Sequence, residues 1–168
     1  KEGKGPLAVL TFLGPPGVGK TYMAELIAEY FSEGKAAANL LRIDMSAYSG
    51  HQSHEQLIGF SAAYSGATGG ILTGFIKKNP GAIILADEIE KAHRNTQNIF
   101  LQILDYGKLY ENNSKEWVDC SQITMIFTTN LGRELYNTPD RFGLLRGSQH
   151  IDDVIMDALG KDLPEQGT

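Results

Sequence analysis

Two periods alternate along this chain. Leu7 to Leu13 (LAVLTFL) is a short apolar run ending at a glycine, which suits a strand covered on both faces of a sheet. Met23, Leu26, Ile27, Tyr30 and Phe31 then recur at helical spacing, with Glu25 and Glu29 on the other side. Asn39 to Met45 (NLLRIDM) reads as a second strand. Gly70 to Asn79 predicts a short helix carrying Ile71, Leu72, Phe75 and Ile76, closed by Asn79-Pro80-Gly81. Ala82 to Ala86 (AIILA) is a third, buried strand, and Lys91 to Asp105 a helix with Ala92, Ile99, Phe100, Ile103 and Leu104 inward. The polar stretch between Gly107 and Asp119 reads as a hairpin or surface loop, and Ile123 to Phe127 as a fourth buried strand. A looser region from Gly132 to Gly147 precedes a last amphipathic helix, Ile151 to Leu159. Strand then helix, four times over, calls for an α/β fold with a mostly parallel sheet flanked by helices.

Composition narrows the class without naming it. The 168 residues suit one domain. A net charge of −5 with dispersed Lys and Arg gives no support to a nucleic-acid-binding face. The single cysteine, Cys120, excludes an intrachain disulfide and fits a reducing compartment; opening an apolar run, it suits packing better than nucleophilic chemistry. The four histidines, His51, His54, His93 and His150, match no zinc spacing. No apolar stretch is long enough to span a membrane and the first residues lack a signal-peptide pattern, so a soluble, cytoplasmic protein is expected.

Candidate chemistry starts at GPPGVGKT, residues Gly14, Pro15, Pro16, Gly17, Val18, Gly19, Lys20 and Thr21, followed by Tyr22. The spacing satisfies G-x-x-x-x-G-K-S/T between a buried strand and an amphipathic helix. After such a strand, glycines let backbone N–H groups turn inward around a phosphate, and the helix that follows aims its positive end at the same anion. Lys20 then reaches the β- and γ-phosphates of ATP, and the Thr21 hydroxyl takes a place on Mg²⁺. A second signal is the strand IILA ending in Asp87-Glu88. Acids at the C-terminal end of a parallel strand face the crevice where ligands sit. Asp87 is the candidate magnesium ligand and Glu88 the candidate general base for an attacking water. Asn130, ending ITMIFTTN, is placed to orient that water or touch the γ-phosphate.

GPPGVGKT, LLRIDMSAY, GGILTGFIKKNP, IILADEIEKAH, FLQILDYGKL and TTNLG together resemble, in order and spacing, the Clp/heat-shock class of AAA+ ATPases. Within that class they resemble the second nucleotide-binding domain of ClpB- and ClpA-like unfoldases, from about Leu7 to about Leu135. The resemblance implies a P-loop NTPase fold and a homohexameric ring that uses ATP to thread unfolded or tagged polypeptide through a central pore, with a peptidase ring as a further partner. It assigns the phosphate loop to Gly14–Thr21, the magnesium and catalytic acids to Asp87 and Glu88, and the sensor asparagine to Asn130. The aromatic pore residue falls on Tyr64, in Ala63-Tyr64-Ser65-Gly66, where alanine and serine replace the family's glycine and valine. The family's arginine-finger segment is not matched, since no spacing promotes Arg133, Arg141 or Arg146, and the helical lid is absent. Residues 1–168 are therefore expected to be the large nucleotide-binding subdomain of a longer chain. A nucleic-acid motor or clamp loader on the same fold, and a scaffold that binds nucleotide without turnover, stand as alternatives.

Overall fold

The computed structural model describes residues 5–31, 39–63 and 66–130. Among the described residues four parallel strands form the central sheet: β1 (Ala8–Leu13), β2 (Leu40–Asp44), β3 (Ile83–Asp87) and β6 (Thr124–Thr129). Their spatial order is β1-β6-β3-β2. A two-residue side-chain period accounts for the two cores. From β3, Ile84 and Ala86 join Met125 and Phe127 of β6 in the larger core, while Ile83, Leu85 and Ile126 join the smaller one across the sheet. Strands apolar at every position need cover on both faces, and β3 is buried along its whole length.

The larger core is roofed by α3 (Ile71–Lys78), through Leu72 and Ile76, and by α4 (Arg94–Tyr106), through Ile99, Phe100 and Ile103. Phe100 meets Phe127 edge to face, with ring centroids 5.9 Å apart. His93 caps α4, its Nδ1 accepting from the Asn95 N–H at 3.1 Å, so the helix begins at Arg94 and not at Lys91 as the periodicity suggests. Ile89–Lys91 instead form a 3₁₀ turn directly after the β3 acids. The antiparallel hairpin of β4 (Lys108–Glu111) and β5 (Glu116–Asp119) occupies the polar stretch, and the one-turn helix α2 (Glu55–Ile58) packs beside α3.

On the opposite face lies α1 (Lys20–Phe31), and its register departs from the sequence reading. Ala24 and Ala28 are its buried residues, whereas Tyr22, Met23, Leu26, Tyr30 and Phe31 are exposed. Two small side chains one turn apart let the helix lie close on Ile83, Leu85 and Ile126, and that close approach turns the bulkier residues outward. A second departure concerns β1, which is half buried rather than covered on both faces, because it is a sheet edge among the described residues. Cys120 is buried, but in the turn after β5 and not at the start of a strand. No helix among the described residues is long and apolar enough to cross a membrane. The expected final helix, Ile151–Leu159, and Arg133, Arg141 and Arg146 lie outside the described residues, as does Tyr64.

Parallel pairing aligns the strand ends. Leu13 stands opposite Thr129 and Asp44 opposite Asp87, so the residues just beyond β1, β3 and β6 share one edge of the sheet. That edge holds the polar chemistry.

Candidate functional site

Residues 14–19 link β1 to α1, and two of them define the loop's shape. Gly17 and Gly19 have φ of +82° and +89°. A Cβ at either would meet no atom within 4 Å, so it is the positive φ itself, rather than crowding, that calls for glycine. The loop delivers Lys20 to the first turn of α1, where its ammonium donates to three oxygens: Gly14 O at 2.7 Å, Pro15 O at 2.7 Å and Asn130 Oδ1 at 2.8 Å. Two of the acceptors are backbone carbonyls just beyond β1 and the third is the side-chain amide of Asn130, just beyond β6. Val18 is exposed on the outer side of the loop, and Tyr22, also exposed, lines the rim.

One residue along α1, the Thr21 hydroxyl reaches both oxygens of Asp87, at 2.9 and 3.1 Å. Asp87, at the end of β3, is nearly buried and accepts further hydrogen bonds from Thr128 and from Arg42 Nη2, the latter at 3.0 Å. Thr128 serves two neighbours, since its hydroxyl oxygen also accepts the Glu88 N–H at 2.9 Å. It thereby fixes the turn in which the chain leaves β3.

That turn is unusual. Glu88 has φ 57° and ψ 53°, a left-handed conformation seldom taken by residues with a side chain. Its carboxylate accepts from Asn130 Nδ2 at 3.1 Å and pairs with Lys91 at 2.6 Å. The Glu88 carboxylate holds the Lys91 ammonium above its ordinary pKa by this hydrogen bond. Asn130 is tied down in turn, its backbone N–H donating to Glu90 Oε1 at 2.9 Å. Its amide bridges Lys20 on one side and Glu88 on the other.

These groups surround an open cleft of about 370 Å³. The structure thus brings Lys20, Thr21, Asp87, Glu88 and Asn130 together around this cleft, which Gly17 and Gly19 also line. Backbone donors and a lysine on one side suit a phosphate chain. A hydroxyl beside a carboxylate suits a hard divalent cation that completes its shell with phosphate oxygens and water, as Mg²⁺ does. Among the described residues no group of three or more His, Cys, Asp or Glu could cage a metal alone, so the donor set fits a nucleotide-borne ion. The sequence reading did not single out Arg42, Thr128, Glu90 or Lys91. A charge within the apolar strand NLLRIDM was the available signal for Arg42, while Glu90 and Lys91 lie inside IILADEIEKAH and Thr128 inside TTNLG, motifs that covered them without assigning them a role.

A family model described as AAA domain (Cdc48 subfamily) matches residues 5–165. The chain is 44% identical over 131 residues to a "Chaperone protein ClpB" of Lactiplantibacillus plantarum, covering 77% of this chain and 15% of that protein. It is 42% identical over 137 residues to "Heat shock protein 100" of Trypanosoma brucei brucei, covering 80% and 15%. With "Probable chaperone protein ClpB 1" of Chlorobaculum tepidum it shares 41% identity over 133 residues, 79% of this chain and 30% of the relative. The matched region is thus less than a third of each relative's length.

Proposed function

The chain belongs to the AAA domain family, in the class of the ClpB and heat-shock chaperones, and on that premise we propose that it is the ATP-hydrolysing module of a protein-unfolding machine. In this reading the module is the large nucleotide-binding subdomain of a longer chain that works as a ring of identical subunits in the cytoplasm. Unfolded or tagged polypeptide is the substrate, and a peptidase ring is the further docking partner.

One observation carries the reading: Asn130 joins the phosphate-binding lysine to the water-activating acid, through Lys20 at 2.8 Å and Glu88 at 3.1 Å. On ATP binding, Lys20 exchanges its carbonyl and amide acceptors for β- and γ-phosphate oxygens. Thr21 and Asp87 would hold Mg²⁺, which when bound would supply charge neutralisation along the phosphate chain. Glu88, released from Lys91, accepts the proton of the attacking water, and Asn130 holds that water in line. A pure nucleotide scaffold has no use for Glu88 in a strained backbone facing the phosphate loop. A nucleic-acid motor is disfavoured by the charge of −5 and by the chaperone relatives.

The test is ATP turnover by the full-length protein, with and without an unfolded protein such as casein, and with DNA. Stimulation by casein is expected; stimulation by DNA alone would move the assignment to a nucleic-acid motor. Tyr64→Ala in the full-length ring is expected to retain ATP turnover and lose substrate unfolding, because Tyr64 is proposed to grip the threaded chain. Normal unfolding by that variant would remove Tyr64 from the pore.

A further inference from the structure

Arg42 is the one charged side chain in β2 before its terminal Asp44, and the parallel register explains where it goes. It stands opposite Leu85, whose side chain belongs to the smaller core beneath α1. Asp87, two residues beyond Leu85, projects toward the same face, by the period of the strand. Along α1, Thr21 and Glu25 are one turn apart and therefore side by side. The four side chains form a connected chain of contacts. Thr21 donates to Asp87, Arg42 Nη2 pairs with Asp87 Oδ2 at 3.0 Å, and Arg42 Nη1 pairs with Glu25 Oε1 at 2.5 Å.

We propose that Arg42 is the counter-ion of the magnesium site: it neutralises Asp87 when metal and nucleotide are away, and yields the carboxylate to the metal when they arrive, with Glu25 as its second berth. This rests on the reading of Thr21 and Asp87 as the Mg²⁺ ligands. Asp87 has 9% of its side chain exposed, and a carboxylate so enclosed is costly without a cation. Arg42, with 49% exposed, is free enough to swing. Two cations on one carboxylate repel each other, so a metal held by Asp87 would compete with the guanidinium for that carboxylate. Glu25 sets the outcome, since a guanidinium already held on one nitrogen pair can leave Asp87 without going unpaired.

The consequence is a pair of opposite effects. Arg42→Gln removes the competitor and lowers the Mg²⁺ concentration needed to tighten ADP binding, by about two- to fivefold, the scale of a partly exposed ion pair. Glu25→Gln removes the second berth, leaves Arg42 on Asp87, and raises that concentration. If Glu25 acts through Arg42, its effect disappears in the double variant, whereas a general field effect of the two charges would simply add. The experiment is calorimetric titration of ADP into the full-length protein at a series of Mg²⁺ concentrations, for the parent, both single variants and the double variant. Opposite shifts that are non-additive support the proposal. An unchanged or raised Mg²⁺ requirement in Arg42→Gln overturns it, since Arg42 would then be inert or would position Asp87 for the metal. Additive shifts overturn it as well. Failure of the underlying reading looks different: ADP affinity of the parent would then be independent of Mg²⁺, which removes the site and the proposal together.

Discussion

Glu88 offers a direct measure of what the site's geometry costs. Its φ of 57° and ψ of 53° place it in the left-handed region, where a Cβ raises the energy by about 1–2 kcal/mol. Glu88→Gly and Glu88→Ala both delete the carboxylate. Both also lose the pairing with Lys91 and the hydrogen bond from Asn130, and both keep the backbone N–H that donates to Thr128. The lost ion pair joins side chains that are 33% and 48% exposed, so it is worth at most about 1 kcal/mol, and it cancels between the two variants. What remains is the conformational term. Glycine escapes the steric cost but has a freer unfolded chain, which opposes it by about 0.4–1 kcal/mol. The net expectation is that Glu88→Gly is more stable than Glu88→Ala by roughly 0.5–1 kcal/mol. Urea unfolding of the two variants, followed by circular dichroism, reads the difference at equal denaturant slopes. If Glu88→Ala proves as stable as Glu88→Gly, residue 88 is not held in this conformation. The strained turn that aims the acid at the cleft would then be wrong.

Two further outcomes follow from buried groups outside the cleft. Burial opposes ionisation of Glu111, but Lys77 at 2.8 Å, the Ser114 hydroxyl and the Gly70 N–H together hold its carboxyl below the usual range. A depressed carboxyl contributes stability that is complete above its unfolded pKa of about 4.5 and is lost as pH falls through the lower folded value. Glu111→Gln should therefore cost about 1–3 kcal/mol near neutral pH and flatten the acid limb of a urea-unfolding series; an unchanged acid limb would contradict the pairing. Cys120 is fully buried, and desolvation, with Asp119 beside it, pushes its thiol up to about 12. A chromogenic disulfide reagent should thus label it at least ~10³-fold more slowly in the folded protein than in urea, and comparable rates would show that the turn after β5 is open.

Much of the fold could be read from the chain because its strands are extreme. β3 opens with the apolar run Ile83–Ala86 and β6 carries Met125–Phe127, and strands buried this fully suit a sheet covered on both faces. The shape of the loop between β1 and α1 was legible for a related reason, as positive φ at Gly17 and Gly19 restricts residue type directly. The inward face of α1 was not, because periodicity ranks bulk hydrophobicity while the sheet selected Ala24 and Ala28 for close approach. Nor could local pattern show that Thr128 supports both acids, or that Arg42 crosses to Asp87. Those contacts are made by strand pairing and span 40 or more residues. The capping of α4 by His93 is not legible in the sequence because histidine is an uncommon N-cap, so periodicity alone extends the helix back to Lys91.

The central claim is a division of labour in the cleft: Lys20 holds the nucleotide and Glu88 activates the water. It is tested most directly by measuring ATP affinity and turnover together, in the full-length protein, for Lys20→Ala and Glu88→Gln. Lys20→Ala should weaken ATP binding itself, since the ammonium now held by three oxygens is the group that meets the phosphates. Glu88→Gln should bind ATP nearly as the parent does while turnover falls about 10²-fold or more, the scale of a lost general base. Equal loss of affinity in both variants, or undiminished turnover in Glu88→Gln, would contradict the account.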